Sequence, residues 1–142
     1  MKLNVKNLMN NIITGYNYDT PEDAIVSLET AFSKKDIVNA IASKDFEAEA
    51  KIVLRRTNVE INEETVDLTA KLLELSLVEY ILNNGFPDFS MVKRQFSELS
   101  EIDNHLFFIE EILIYENGET FSNIVFLTYE NEKWKVAMTE EK

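Results

Sequence analysis

His105 is the only histidine in the chain, and Asp103 stands two residues before it. An imidazole beside a carboxylate moves protons near neutral pH when both groups converge on one substrate. Asp103-Asn104 is also ordinary turn chemistry, because Asx side chains bond backbone two residues on. The expected reading is a surface turn, with His105 and Asp103 as the candidate polar site. Glu110 and Glu111 are a second candidate, but neighbours on a strand point to opposite faces. No other acids stand nearby in sequence to complete an oxygen cage for a hard cation, so a structural role is expected and no metal site. Arg55 and Arg56 could clamp an anion; at a helix C-terminus they are explained by the dipole, as Glu63 and Glu64 are at a helix start. Phe32, Phe46, Tyr80, Phe96, Phe108, Phe126 and Trp134 are the candidate lining of an internal pocket, although aromatic rings at such spacing more often fill a core. Tyr16 and Tyr18 are expected to lie against the helix that follows them.

Composition removes several classes of chemistry. Without cysteine there is no disulfide, thiolate metal site or cysteine nucleophile. No glycine-rich phosphate loop, metalloprotease helix motif or nucleophile elbow is present, and three glycines leave little material for a phosphate cradle. No cofactor is implied. The formal net charge of −12, from 26 acids against 14 bases, is spread along the chain. Such a surface repels phosphate backbones, which argues against nucleic acid and favours a basic protein partner. From Met1 to Tyr18 short apolar groups are broken by Asn4, Lys6, Asn7, Asn10 and Asn11. That pattern is neither a signal peptide nor a membrane span, so a cytoplasmic protein without a membrane partner is expected.

The elements that must position these residues divide the 142 residues into an N-terminal segment (1–19), a helical part (20–85) and an antiparallel sheet (91–139), within one α+β domain. Leu8, Met9, Ile12 and Ile13 suit a short helix, ended by Gly15 and a tyrosine-rich loop. Thr20-Pro21-Glu22-Asp23 then writes a helix start: a capping hydroxyl, a proline at the first helical position and two acids at the positive end of the dipole. Ala24, Ile25, Leu28, Ala31 and Phe32 form its apolar stripe, with Glu22, Ser27, Glu29 and Lys34 outside. A short helix follows Asp36, and a third runs from Phe46 to Arg56 with a Glu47–Lys51 pair. Asn62 caps a long helix through about Leu82, stopped by Asn83-Asn84-Gly85. Its apolar residues, Val66, Ala70, Leu73, Leu77, Tyr80 and Ile81, are joined by Leu68, Leu72, Leu75, Val78 and Leu82, a width that predicts burial on more than one side. Phe86-Pro87-Asp88-Phe89 is a turn that seals the end of the core.

From Met91 the period becomes two. A modest strand at 91–100 precedes Leu106–Tyr115, in which a bulge at Glu110-Glu111 would turn both acids to solvent. Asn117-Gly118 signals a hairpin into Phe121–Tyr129, and Glu130-Asn131-Glu132-Lys133 turns into a last strand with Trp134, Val136 and Met138. Ile124-Val125-Phe126-Leu127 is apolar on both pleat faces, so the sheet must be covered on both. The helices cover one face in this reading, and a second subunit, a partner or the N-terminal segment the other, which implies a homodimer through the sheet.

Thr20-Pro21-Glu22-Asp23-Ala24, Ala31-Phe32, Lys34-Lys35-Asp36 and the closing Lys133-Trp134-Lys135-Val136 resemble the nuclear transport factor 2-like superfamily. The resemblance implies a cone of N-terminal helices packed on a curved antiparallel sheet of about four strands, a cystatin-like α+β fold. The long helical stretch before the first strand departs from many members, which place a strand pair there. The superfamily spans isomerases, dehydratases, cyclases, carrier-binding domains and immunity proteins that neutralise toxins of bacterial competitors, so fold says little about activity. In its ketosteroid isomerase branch an oxyanion-binding tyrosine stands eight residues before an aspartate matched here by Asp36. That position is Leu28, which has no phenol, so the resemblance argues against that branch. The sequence therefore points to a non-catalytic protein-binding domain, with an immunity-type partner of a toxin as one form. A small-ligand binder, or an isomerase- or hydratase-like enzyme using the cone interior, is the alternative.

Overall fold

The computed structural model describes residues 15–142, and the short helix expected around Leu8–Ile13 lies outside them. Four helices, α1 (Pro21–Ser33), α2 (Ile37–Ala42), α3 (Phe46–Arg56) and α4 (Glu63–Asn84), precede five strands. These are β1 (Val92–Phe96), β2 (Ser100–Asp103), β3 (Leu106–Tyr115), β4 (Thr120–Glu130) and β5 (Lys133–Glu141). The strands form a curved antiparallel sheet in the order β1-β3-β4-β5, with β2 also paired to β3.

Each helix starts on the cap that its sequence writes. Thr20 Oγ1 accepts the Asp23 N–H, Asp36 that of Asn39, Asp45 that of Ala48 and Asn62 that of Thr65. Thr65 returns a bond to the Asn62 backbone, completing a capping box. The hairpin closes through Gly118 (φ +88), which donates to the Tyr115 carbonyl, and Asn131 and Glu132 both take positive φ in the next turn.

The inner face of the sheet carries Ile109, Val125, Leu127 and Val136, which pack against Ala24, Ile25, Leu28, Ala31 and Ala40 of α1 and α2. On the outer face Phe126, Ala137 and Met138 meet Ile52 and Ala48 of α3. The helices thus cover parts of both faces, not one as expected, because the link between α2 and α3 crosses the β5 edge. Val136 N–H donates to the Ser43 carbonyl there, and Asp45 N–H to the Val136 carbonyl.

Three further expectations are corrected. β3 runs in regular register with β4 through Glu110 and Glu111. The irregularity lies across the ladder: Phe96 pairs Glu111 but Ser100 pairs Phe108, which leaves one extra residue between β1 and β2. That slack drops Leu99 onto the core while β3 keeps its alternation, so Glu110 turns outward and Glu111 inward. Ser27 and Glu29, placed outside the α1 stripe, are buried. And α4 is not buried on more than one side. Val66, with Ala70 and Leu73, packs on Ala50 and Leu54 of α3, whereas Leu68, Leu72, Leu75, Tyr80 and Leu82 are exposed. α4 stands as a second layer behind α3.

Candidate functional site

Among the described residues, two places stand out against the rule that apolar groups go inside and charges out. The first is an interior cluster. Glu29 from α1 and Glu111 from β3 are 6% and 1% exposed, and Arg94 of β1 donates from Nε to Glu29 Oε1 at 2.6 Å. Neither oxygen of Glu111 has a hydrogen-bond partner among the described residues. Two ionised carboxylates are both acceptors, so no bond joins them until one takes a proton. Burial, first, and then the neighbouring Glu111 push Glu29 up to about 9, against the opposing pull of Arg94. A proton on Glu29 is the donor that the unpartnered oxygens of Glu111 lack. Burial and the same two acids also raise Tyr115 at the end of β3.

The second place is the outer side of α4. Leu68, Leu72, Leu75 and Leu82 are each more than half exposed, Leu82 at 78%. With Glu79 they recur at alternating spacings of four and three, a straight seam about 21 Å long on one side of the helix. Scattered apolar residues on a surface are normal; a continuous row is the mark of an interaction site.

The candidate residues read from sequence are spread over the molecule. His105 takes positive φ (66°) in the turn between β2 and β3 and is exposed, as a surface turn requires. It shares with Asp103, Asp45, Lys51 and Arg55 a surface cavity of about 190 Å³. Arg55 Nη1 lies 4.0 Å from Asp103 Oδ2, a pair exposed on both sides. Of the candidate pocket lining, Phe32, Phe96 and Trp134 border the inner core, with Trp134 edge-on to Phe107. Phe108 and Phe126 sit on the outer face, Phe126 beneath the Arg56 guanidinium. Phe46 lies under Lys44 Nζ, and Tyr80 is exposed on α4. The seven rings thus do not converge on one chamber. Neither that surface cavity nor the groove beside Lys44 and Phe46 is lined by Glu29, Arg94 or Glu111.

Sequence reasoning missed Glu29, Arg94 and Lys44. The signal for the first two was available: Glu29 stands four residues after Ile25 and three before Phe32, the spacing of the stripe itself, and Arg94 shares the inward pleat of Val92 and Phe96. Lys44 had no such signal. Its ammonium is fixed by Glu49 Oε1 at 3.1 Å and the Ala137 carbonyl at 3.0 Å, contacts that follow from the docking of the α2–α3 link on β5. Burial lowers its pKa, opposed by the charge of Glu49. Among the described residues no group of three or more acids or histidines is placed to hold a metal ion, and no helix is long and apolar enough to cross a membrane.

No protein family matches the chain, and no curated protein is significantly similar to it. Among solved structures the chain is similar to a candidate NTF2-like transpeptidase from Campylobacter jejuni, with 17% identity over 84% of this chain and 98% of that one, at a TM-score of 0.46.

Proposed function

We propose that the protein is a non-catalytic protein-binding domain of the cytoplasm, built on a nuclear transport factor 2-like cone. The observation that carries this reading is the leucine row of α4, apolar surface left in water on a helix already anchored by its other side. The acidic surface favours a basic partner, and an immunity-type role against a toxin fits that chemistry. A photo-crosslinking residue at position 72, introduced in the native cell, tests the reading. A protein adduct at that position is expected; the absence of any would overturn it.

A second reading rests on the Glu29–Glu111 pair. A carboxyl held protonated at neutral pH can act as a general acid, the role a small-ligand binder or an isomerase- or hydratase-like enzyme would give the interior. Its test is a ligand-induced rise in melting temperature that Glu111→Gln abolishes. If small-molecule screening gives no such rise, the interior pair is structural.

A further inference from the structure

The exposed side of α4 has a symmetry that names its occupant. Leu68 and Leu82 stand seven residues either side of Leu75, and Lys71 and Glu79 stand four either side. Lys71 is the one basic residue of α4, Glu79 is the one acid in the leucine row, and both are exposed. We propose that α4 pairs with α4 of a second copy of this chain, antiparallel, about a two-fold axis passing beside Leu75. The proposal rests on the protein-binding reading and supplies its partner.

In that arrangement Leu75 meets its own copy, Leu68 meets the copy's Leu82, and the Glu79 carboxylate comes within reach of the copy's Lys71. The last contact forms twice by symmetry, as an isologous interface demands. Charge also decides the direction. A parallel pair would stack Glu63, Glu64 and Asp67 of one copy beside the same acids of the other and bring Glu79 against Glu79. Lys71 is the one base on the helix, and a parallel pair would set it against its own copy, away from Glu79, so that repulsion is left largely uncompensated. The antiparallel pair puts the acidic first turn of each helix at the neutral Asn83-Asn84 end of the other, where the dipoles also oppose. A basic partner, which the net charge of the whole chain favours, would set like charge against Lys71 beside this row, so it is not the occupant proposed for α4.

Sedimentation of the full chain over a range of concentrations tests this, with far-UV circular dichroism confirming that each variant is folded. Dimers are expected for the wild type, with the dissociation constant raised about a hundredfold by Leu75→Glu. Lys71→Glu and Glu79→Lys should each weaken the dimer about tenfold, and the two together should restore it. That rescue is particular to the antiparallel register. A monomeric wild type would overturn the proposal. So would a dimer indifferent to Leu75→Glu; if it is lost instead on Ile112→Glu, the interface lies on the outer face of the sheet. Crosslinking from position 72 separates this failure from that of the underlying reading. A monomer that captures a different protein removes the second copy and leaves protein binding standing. A monomer that captures nothing, or only residues 1–14 of its own chain, removes both.

Discussion

α1 and α4 begin in the same manner, with a side-chain cap and acids in the first turn, and both carry more apolar residues than one narrow stripe needs. Their fates differ. α1 lies in the first layer, enclosed between the inner sheet face and the Tyr16–Asp19 loop, where Ser27 Oγ both accepts from Asn17 N–H and donates to its carbonyl. Even its misfit acid, Glu29, is drawn inside and provided with Arg94. α4 is longer, yet it packs mainly on α3, and Leu68, Leu72, Leu75, Tyr80 and Leu82 on its far side stay exposed. Apolar width therefore does not by itself decide burial; the layer in which a helix stands does. Stability is concentrated in the first layer, and the association proposed for α4 belongs to the second, so substitutions in the two should change different observables.

The largest difference is expected from one substitution made in both layers. Leu127→Ala, at a fully buried site against α1, should cost about 4 kcal/mol in urea unfolding with an unchanged m-value. A loss below about 1 kcal/mol would show that the first layer is not the tightly packed one. Next in size, Lys44→Ala should cost about 3 kcal/mol, since it strands Glu49 and the Ala137 carbonyl near the β5 edge. A thermal melt of the variant that matched the wild type would remove the pair from the account.

An effect of a different kind, spread over pH, follows from Glu29. Its carboxyl keeps its proton up to about 9 in the folded chain but loses it near 4.5 when exposed, so between those values the unfolded state binds fewer protons. Stability from this group is therefore present at low pH and is lost as pH rises, by at most about 1.4 kcal/mol per pH unit. Glu29→Gln, which still accepts from Arg94 and can donate to Glu111, should gain on the wild type as pH rises from 5 to 9 in parallel chemical denaturations. Parallel curves would mean that the pair does not share a proton. The smallest change belongs to the second layer: Leu72→Ala should shift the stability of the dilute protein by less than about 0.5 kcal/mol.

Much of this organisation was legible in the residues. Thr20-Pro21, Asp36, Asp45 and Asn62 start helices because a capping oxygen acts within four residues, and Asn117-Gly118 closes a hairpin for a similarly local reason. What escaped were features that depend on two distant segments. Glu111 turns inward because β3 keeps its alternation from Ile109 to Leu113, and the extra residue lies instead in the neighbouring strands, between Phe96 and Ser100. The covering of the outer face by α3 depends on where the α2–α3 link crosses the sheet. For α4, periodicity showed how many sides are apolar but not how many neighbours would arrive. Of the candidate site residues, His105 and Asp103 fell together because they share one turn. The seven rings share only their type: sheet parity divides Phe96 and Trp134 from Phe108 and Phe126, and Phe32, Phe46 and Tyr80 stand on three different helices.

The crossing of the Ser43–Asp45 segment over β5 has one more consequence. Its bonds to both backbone groups of Val136 occupy the place where a foreign strand would begin to add. At Val136 the sheet therefore ends in a stop made from its own chain, and a strand of another molecule cannot begin its templated growth at that residue.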